Sequence, residues 1–208
     1  KYEEGKRLVN VRSKKETQIK NAIRFMAKGR RNAKTASPGD ILGFYNHGTI
    51  QVGDTFTEGE HFNFKGIPNF APEIFRLVRT ADPLKTKALS KGLKQLCEEG
   101  AVQVFSYIDG NQVVLGAVGS LQFDVVAWRL KNEYAVECAY SAINITTARW
   151  LFSDTPNRLD EIKKMETNRL ALDGVGRLAY LAPTSVNLQL AEERWPDIQF
   201  SKTREMGE

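Results

Sequence analysis

The sequence is poor in the residues that most often carry chemistry. Of its 208 residues only two are cysteine and two are histidine. Cys97 and Cys138 lie far apart in apolar-patterned segments and form no C-x-x-C pair, which excludes the common zinc and dithiol arrangements. Two buried thiols in a reducing compartment are expected instead. His47 and His61 have no carboxylate or cysteine at a metal-ligand spacing, so no metal site is expected. Long apolar runs are missing as well: nothing approaches the ~18 residues of a membrane helix. The first ten residues are too polar for a secretory leader, and a cytoplasmic protein is expected.

Signatures of catalysis and nucleotide binding are also lacking. There is no G-x-x-x-x-G-K-[ST] phosphate loop, and Ser120 has no G-x-S-x-G elbow. The nearest glycine-rich turn, "GAVGSL" at residues 116–121, has two glycines three apart and follows a hairpin strand rather than a parallel βαβ unit. It reads as close strand–helix packing. Glu98-Glu99 and Glu192-Glu193 are adjacent pairs whose members diverge on a helix and make poor acid/base couples. Phe105 and Tyr107 alternate on a strand without the RNA-recognition signature, a pattern that more often serves a sheet face or core than base stacking. No catalytic, cofactor-binding or metal residue is assigned, which leaves a small hydrolase without support.

What is present is an ordinary globular composition, 41% hydrophobic and 26% charged, with an uneven distribution of charge. Residues 1–35 hold 12 Lys/Arg against 3 acids, while residues 36–208 hold 18 against 22. A basic front on a near-neutral body suggests a polyanionic neighbour, most often nucleic acid. The candidates are Lys28, Arg30, Arg31 and Lys34 in "AKGRRNAKTASPGD", read as a loop between two strands. Such cations follow a phosphate backbone without reading sequence.

The patterning changes along the chain and predicts an α+β protein of two parts. Residues 1–66 read as short strands and turns: "KRLVNVR", "TQIKNAIRFM", then Ile41–Tyr45 pairing with Ile50–Phe56 around Asn46-His47-Gly48. Pro38-Gly39 and Gly53-Asp54 supply the flanking turns. Four or so strands are too few to close a barrel, so a partial one with open edges is expected.

Residues 67–208 form the second part. A strand over "APEIFRLVR" precedes a helix opened by Asp82-Pro83, with Leu84, Ala88, Leu89, Leu93, Leu96 and Cys97 on its buried stripe and Gly100 as left-handed cap. Strands "AVQVFSYI" and "QVVLGAVG" follow, then a helix carrying Leu121, Val125, Trp128 and Leu130 with Ser120 as candidate cap, then the strand "VECAYSAINI". This order is the split βαβ, ferredoxin-like arrangement, over about residues 70–146. Residues 147–208 are a C-terminal α/β extension with strands at "ARWLF", "RLAYLAP" and "IQFSKT" and two helices. It either extends the first sheet or forms an attached lobe, and no internal repeat is legible.

Two sets of residues carry a family resemblance. "PGDILGFYNHGTIQVGDTF" resembles the second, barrel domain of translational GTPases, with its G-D-I and G-D-T turns. "GIPNFAPEIFRLVR", "LKQLCEEGAVQVF", "GAVGSLQFDVVAWRLKNEY" and "LALDGVGRLAYLAPTSVNLQLAEERWPDIQF" are similar to the peptide chain release factor three family, the bacterial class II termination factors. The likeness runs through essentially the whole chain. It implies a truncated second domain followed by the α+β third domain, without the family's amino-terminal GTPase domain and without the first part of the barrel. GTP or GDP with magnesium would then belong to that missing domain, and this chain would be no enzyme. The implied partners are the ribosome, through its RNA and proteins, the factor's own GTPase domain and, indirectly, class I release factors, with neither membrane nor DNA. In its GTP form such a factor promotes departure of class I release factors after peptide release. The alternative is a free-standing RNA- or ribosome-binding adaptor unconnected with GTP.

Overall fold

A computed structural model describes residues 1–26, 29–46, 49–62, 64, 68–110 and 112–205. The chain divides into two units, Lys1–Ile67 with Glu205–Glu208, and Pro68–Arg204.

The first unit is built from short strands: β1 (Tyr2–Glu3), β2 (Arg7–Asn10), β3 (Lys15–Gln18), β4 (Ile23–Met26), β5 (Gly29–Asn32), β6 (Thr35–Ala36) and β7 (Phe56–Thr57). They pair as β1-β6, β3-β2-β7 and β4-β5, and no closed barrel forms among the described residues. The hairpin expected over residues 41–56 is not a ladder. Among its described residues only Gly43 bridges, to Ile23, and β7 pairs with β2 instead. His47 and Gly48 of the expected turn lie outside the described residues. Side chains replace the missing ladder: the Asn46 amide donates to the Ile50 carbonyl at 2.6 Å and accepts from its amide at 3.2 Å. A polar side chain that offers the backbone such an alternative competes with strand pairing.

The second unit begins with β8 (Pro68–Phe70), which pairs with β17 (Thr203–Glu205). Next come β9 (Ile74–Thr80), α1 (Thr86–Glu98), β10 (Gln103–Tyr107), β11 (Val113–Ala117), α2 (Leu121–Tyr134) and β12 (Cys138–Ala142), in the spatial order β12-β9-β11-β10. This is the split βαβ plan expected from the sequence. The Asp82 carboxylate accepts from the Leu84 amide at 2.9 Å and opens a 3-10 turn, Pro83–Lys85, that leads into α1. Gly100 ends the helix at φ +75°, its amide donating to the Cys97 carbonyl.

Three local expectations need correction. Leu84 is 92% exposed, because the three-residue period of the 3-10 turn throws it out of phase with the stripe that buries Leu89, Leu93 and Leu96. On α2 the core takes Phe123, Val126 and Leu130, whereas Leu121, Val125 and Trp128 face outward. That helix is apolar on both sides, so periodicity alone does not choose between them. Ser120 makes no capping bond. The cap is Gln122, whose Oε1 accepts from the Val118 and Gly119 amides at 2.8 and 3.3 Å.

The extension resolves into β13 (Thr147–Phe152), α3 (Pro156–Met165), β14 (Leu170–Asp173), β15 (Leu178–Ala182), α4 (Ser185–Arg194) and β16 (Gln199–Ser201). Of the two arrangements left open by the sequence, it takes the first and extends the sheet. Its strands continue the same sheet in the order β14-β15-β13-β16, the mirror reading of the first half, so the split βαβ plan occurs twice. The halves join through the second strand of each: β10 and β14 run antiparallel with Phe105 opposite Asp173 and Tyr107 opposite Ala171.

Strand alternation then sorts the core. One face of the first half packs on α1 and α2 through Val78, Val104 and Leu115. In the second half Leu151, Leu170, Tyr180 and Ala182 pack in a cluster with Ile162 of α3 and Leu188 of α4. The other face, with Phe75, Phe105, Val114, Trp150, Ala171 and Leu181, is one cluster shared by both halves. Glycine is required at β11, where a Cβ on Gly116 would lie 2.4 Å from Pro72 Cγ. Gly119, the other glycine of the "GAVGSL" turn, faces open space.

Ala135 ends α2 at φ 53°, where a Cβ costs roughly 1 kcal/mol. The exposed substitution Ala135→Gly is therefore expected to stabilise the second unit by about 0.5–1 kcal/mol, read as a thermal midpoint a few degrees higher.

Candidate functional site

Of the four cations nominated by the sequence, Arg30, Arg31 and Lys34 fall on or near the β4–β5 hairpin. Lys28 lies outside the described residues. Arg30 and Arg31 stand on β5 itself rather than on a loop, and the register sets Arg30 opposite Phe25 and Arg31 opposite Arg24. Because successive strand residues point to opposite faces, Arg30 and Arg31 diverge. On one face the Arg30 guanidinium lies 5.9 Å from the centre of the exposed Phe25 ring, a cation–π pair. Phe25 in turn packs against Gly43, where a Cβ would meet the ring at 2.7 Å. On the other face Arg24 is neutralised by Asp40 at 2.8 Å, which leaves Arg31 as the charge presented there. Lys34 is exposed beyond the strand. No carboxylate among the described residues pairs with Arg30, Arg31 or Lys34.

Two turns of one design hold this hairpin and its neighbour. In Ser37-Pro38-Gly39-Asp40 and Gln51-Val52-Gly53-Asp54 the glycines sit at φ +91° and +93°, and each Asp amide donates to the carbonyl three residues back, at 3.0 and 3.1 Å. This is the hydrogen-bonded turn that demands glycine at its third position. Each aspartate carboxylate also accepts from the amide of the turn's first residue, at 2.9 Å in both, and from an arginine of a nearby strand or hairpin. Arg24 serves Asp40, and Arg12 serves Asp54 through two nitrogens at 2.5 and 2.9 Å. Asp54 is the deeper anchor, its side chain 1% exposed, and it also accepts from Asn10 at 2.7 Å. Burial by itself would raise the Asp54 carboxyl. The hydrogen bonds from Arg12, the Gln51 amide and Asn10 outweigh it and hold the group below its ordinary 3.8. The hydrogen bond to Asp54 raises Arg12 correspondingly. The sequence marked both stretches as turns, but the arginine clamps are set by contacts across the sheet that spacing does not reveal.

The remaining candidates for chemistry are occupied or dispersed. Among the described residues no group of His, Cys, Asp and Glu is disposed to hold a metal ion, and no helix is long and apolar enough to cross a membrane. Two amides of the "GAVGSL" turn, those of Val118 and Gly119, are taken by Gln122. Phe105 is fully buried. Cys97 and Cys138 are free and half-buried rather than fully so, and burial pushes both thiols up, which makes them weak nucleophiles. A hollow of about 370 Å³ lies beside α3 and α4. Both oxygens of the buried Glu166 on its wall are taken, by Arg194 at 2.8 Å and Arg169 at 3.4 Å, so it ties the ends of these helices together.

Comparison with known families places this arrangement. Residues 1–59 match the family model of elongation factor G domain 2, so the first unit is of the class of β-domains carried by translation factors. Residues 64–192, well over half of the chain, match the model described as class II release factor RF3, C-terminal domain. The chain belongs to that family. A solved crystal structure from Thermus thermophilus is similar in fold, with a TM-score of 0.57 and 18% identity over 71% of this chain. The match spans 22% of that protein.

Proposed function

We propose that this chain is the ribosome-contacting part of a class II release factor whose GTP-bound form promotes departure of class I release factors after termination. The observation that carries this reading is the succession on one chain of an elongation-factor-G-like β-domain and a release-factor C-terminal domain. Nucleotide and magnesium would be bound by a separate GTPase domain. This chain's share would be docking and transmission, without catalysis of its own. The β4–β5 hairpin offers ribosomal RNA two different surfaces: Arg30 with Phe25 can stack on a base, and Arg31 can neutralise a phosphate. Lys28 and Lys34 extend the same reading by charge.

The test is ribosome binding by the factor that contains this chain, with Arg30→Glu and Arg31→Glu, titrated over a salt series. Each reversal is expected to weaken binding about 10-fold and to lower the slope of log affinity against log salt by about 0.7–0.9 for every phosphate that is no longer neutralised. Release of class I factors from post-termination ribosomes should slow in step. Unchanged affinity and slope in the double variant would remove the hairpin from the interface. Equally tight binding to free structured RNA would favour the adaptor.

A further inference from the structure

The outer surfaces of α1 and α2 form one face that neither the core nor the β4–β5 hairpin accounts for. On α1, Lys87, Lys91 and Lys94 are exposed at i, i+4 and i+7, directly opposite Leu89, Leu93 and Leu96. No carboxylate among the described residues pairs with any of the three. Like charges at this spacing oppose helix formation, so α1 carries an electrostatic cost that no ion pair among the described residues offsets, although the exposed Glu98 follows Lys94 by one turn. On α2, Leu121, Val125 and Trp128 follow the same i, i+4, i+7 spacing and are 71%, 47% and 64% exposed. They lie opposite the buried Phe123, Val126 and Leu130. The helices are side by side: Gly92 packs on Leu130 and Tyr134, and Arg129 of α2 pairs with Glu99 at the end of α1. Lys85 reaches the Ala135 carbonyl and Gln122 the Ala101 carbonyl, so the helices run antiparallel, and the apolar stripe with its exposed tryptophan continues from the Lys94 end of the lysine stripe.

We propose that this face docks an acidic amphipathic segment of a ribosomal protein. Its apolar side chains would cover Leu121, Val125 and Trp128, and its flanking carboxylates would meet Lys87, Lys91 and Lys94. Charge complementarity fixes the sign of the rim, and an exposed Trp is among the residue types enriched at protein–protein hot spots. A nucleic acid would use the lysines but gains nothing from Leu121 and Val125, since aliphatic side chains serve neither phosphates nor stacked bases. The inference rests on the ribosome-contact reading and names a protein as the partner of this particular face.

Crosslinking on the ribosome tests it. A photoreactive aromatic residue is placed at Trp128 in one preparation of the factor and at Arg30 in another, and adducts are sorted by protease and ribonuclease sensitivity. A protease-sensitive, ribonuclease-resistant adduct at position 128, mapping to an acidic segment, is the expected result. Lys87→Glu with Lys91→Glu should cut its yield about 10-fold, while the adduct at position 30 stays. An RNA adduct at position 128, or an adduct to another part of the same factor, overturns the inference. So does no adduct at 128 while position 30 still crosslinks, a result that leaves the ribosome reading standing. If neither position crosslinks, both readings fail.

Discussion

Asp173→Ala is expected to destabilise the second unit by about 3–5 kcal/mol, the scale on which a buried ionic group loses its partner. The carboxylate sits at the end of β14, on the seam where the two halves of the sheet meet, and its side chain is only 5% exposed. Oδ2 accepts from the Trp150 indole nitrogen at 3.0 Å and faces the Arg204 guanidinium at 3.0 Å. Oδ1 accepts from the Val175 and Arg177 amides at 3.0 and 2.8 Å, fixing the turn into β15. Alanine withdraws all of these partners at once and leaves the Trp150 N–H and the turn amides to find others where water is scarce. Denaturant titration followed by tryptophan fluorescence reads the change, since Trp150 is buried at this spot. Asp173→Asn keeps the shape but not the charge, and a loss between wild type and alanine is expected. A loss below about 1 kcal/mol for alanine would mean that the seam is held by the apolar cluster alone.

The same seam explains why half of the second unit was legible and half was not. In the first half each element announces itself: Asp82-Pro83 starts a helix, Gly100 stops it, and the strands at 103–107 and 113–117 are separated by a turn signal. In the second half β14 is only four residues long and is followed at once by Gly174-Val175-Gly176, so it merges with its turn in any window wide enough to detect alternation. Without that strand the repeated plan has three strands instead of four and goes unseen. The first unit fails for another reason. Residues 41–55 carry the alternating pattern of a hairpin, but side chains of Asn46 and Asp54 hold the backbone groups that a ladder would use. The site was legible in composition but not in geometry. A run of cations is visible at once, whereas the divergence of Arg30 from Arg31 depends on β5 being a strand and on a register that only pairing defines. The face on α1 and α2 was hidden by the ambiguity of a helix with two apolar sides.

Asp54→Ala is expected to cost the first unit about 3 kcal/mol at neutral pH, because one covered carboxylate supplies partners to Asn10, Arg12 and Gln51. With no closed barrel among the described residues, little else holds residues 49–55 against β2, so the loss should appear as local opening. Amide hydrogen exchange at Val11 and Gln51 reads it directly: the Val11 amide donates to the Thr55 carbonyl and the Gln51 amide to Asp54 itself. The pH dependence follows from the direction of the shift. The folded carboxyl titrates below 3.8, its ordinary value, so its ionisation stabilises the fold fully above that value and progressively less as pH falls through the folded one. The gap in protection between wild type and Asp54→Asn should accordingly be flat from pH 7 to 5 and narrow only below about 4. A gap that closes between pH 5 and 7 would mean that Asp54 carries a raised pKa, and that burial has outweighed the arginine clamp.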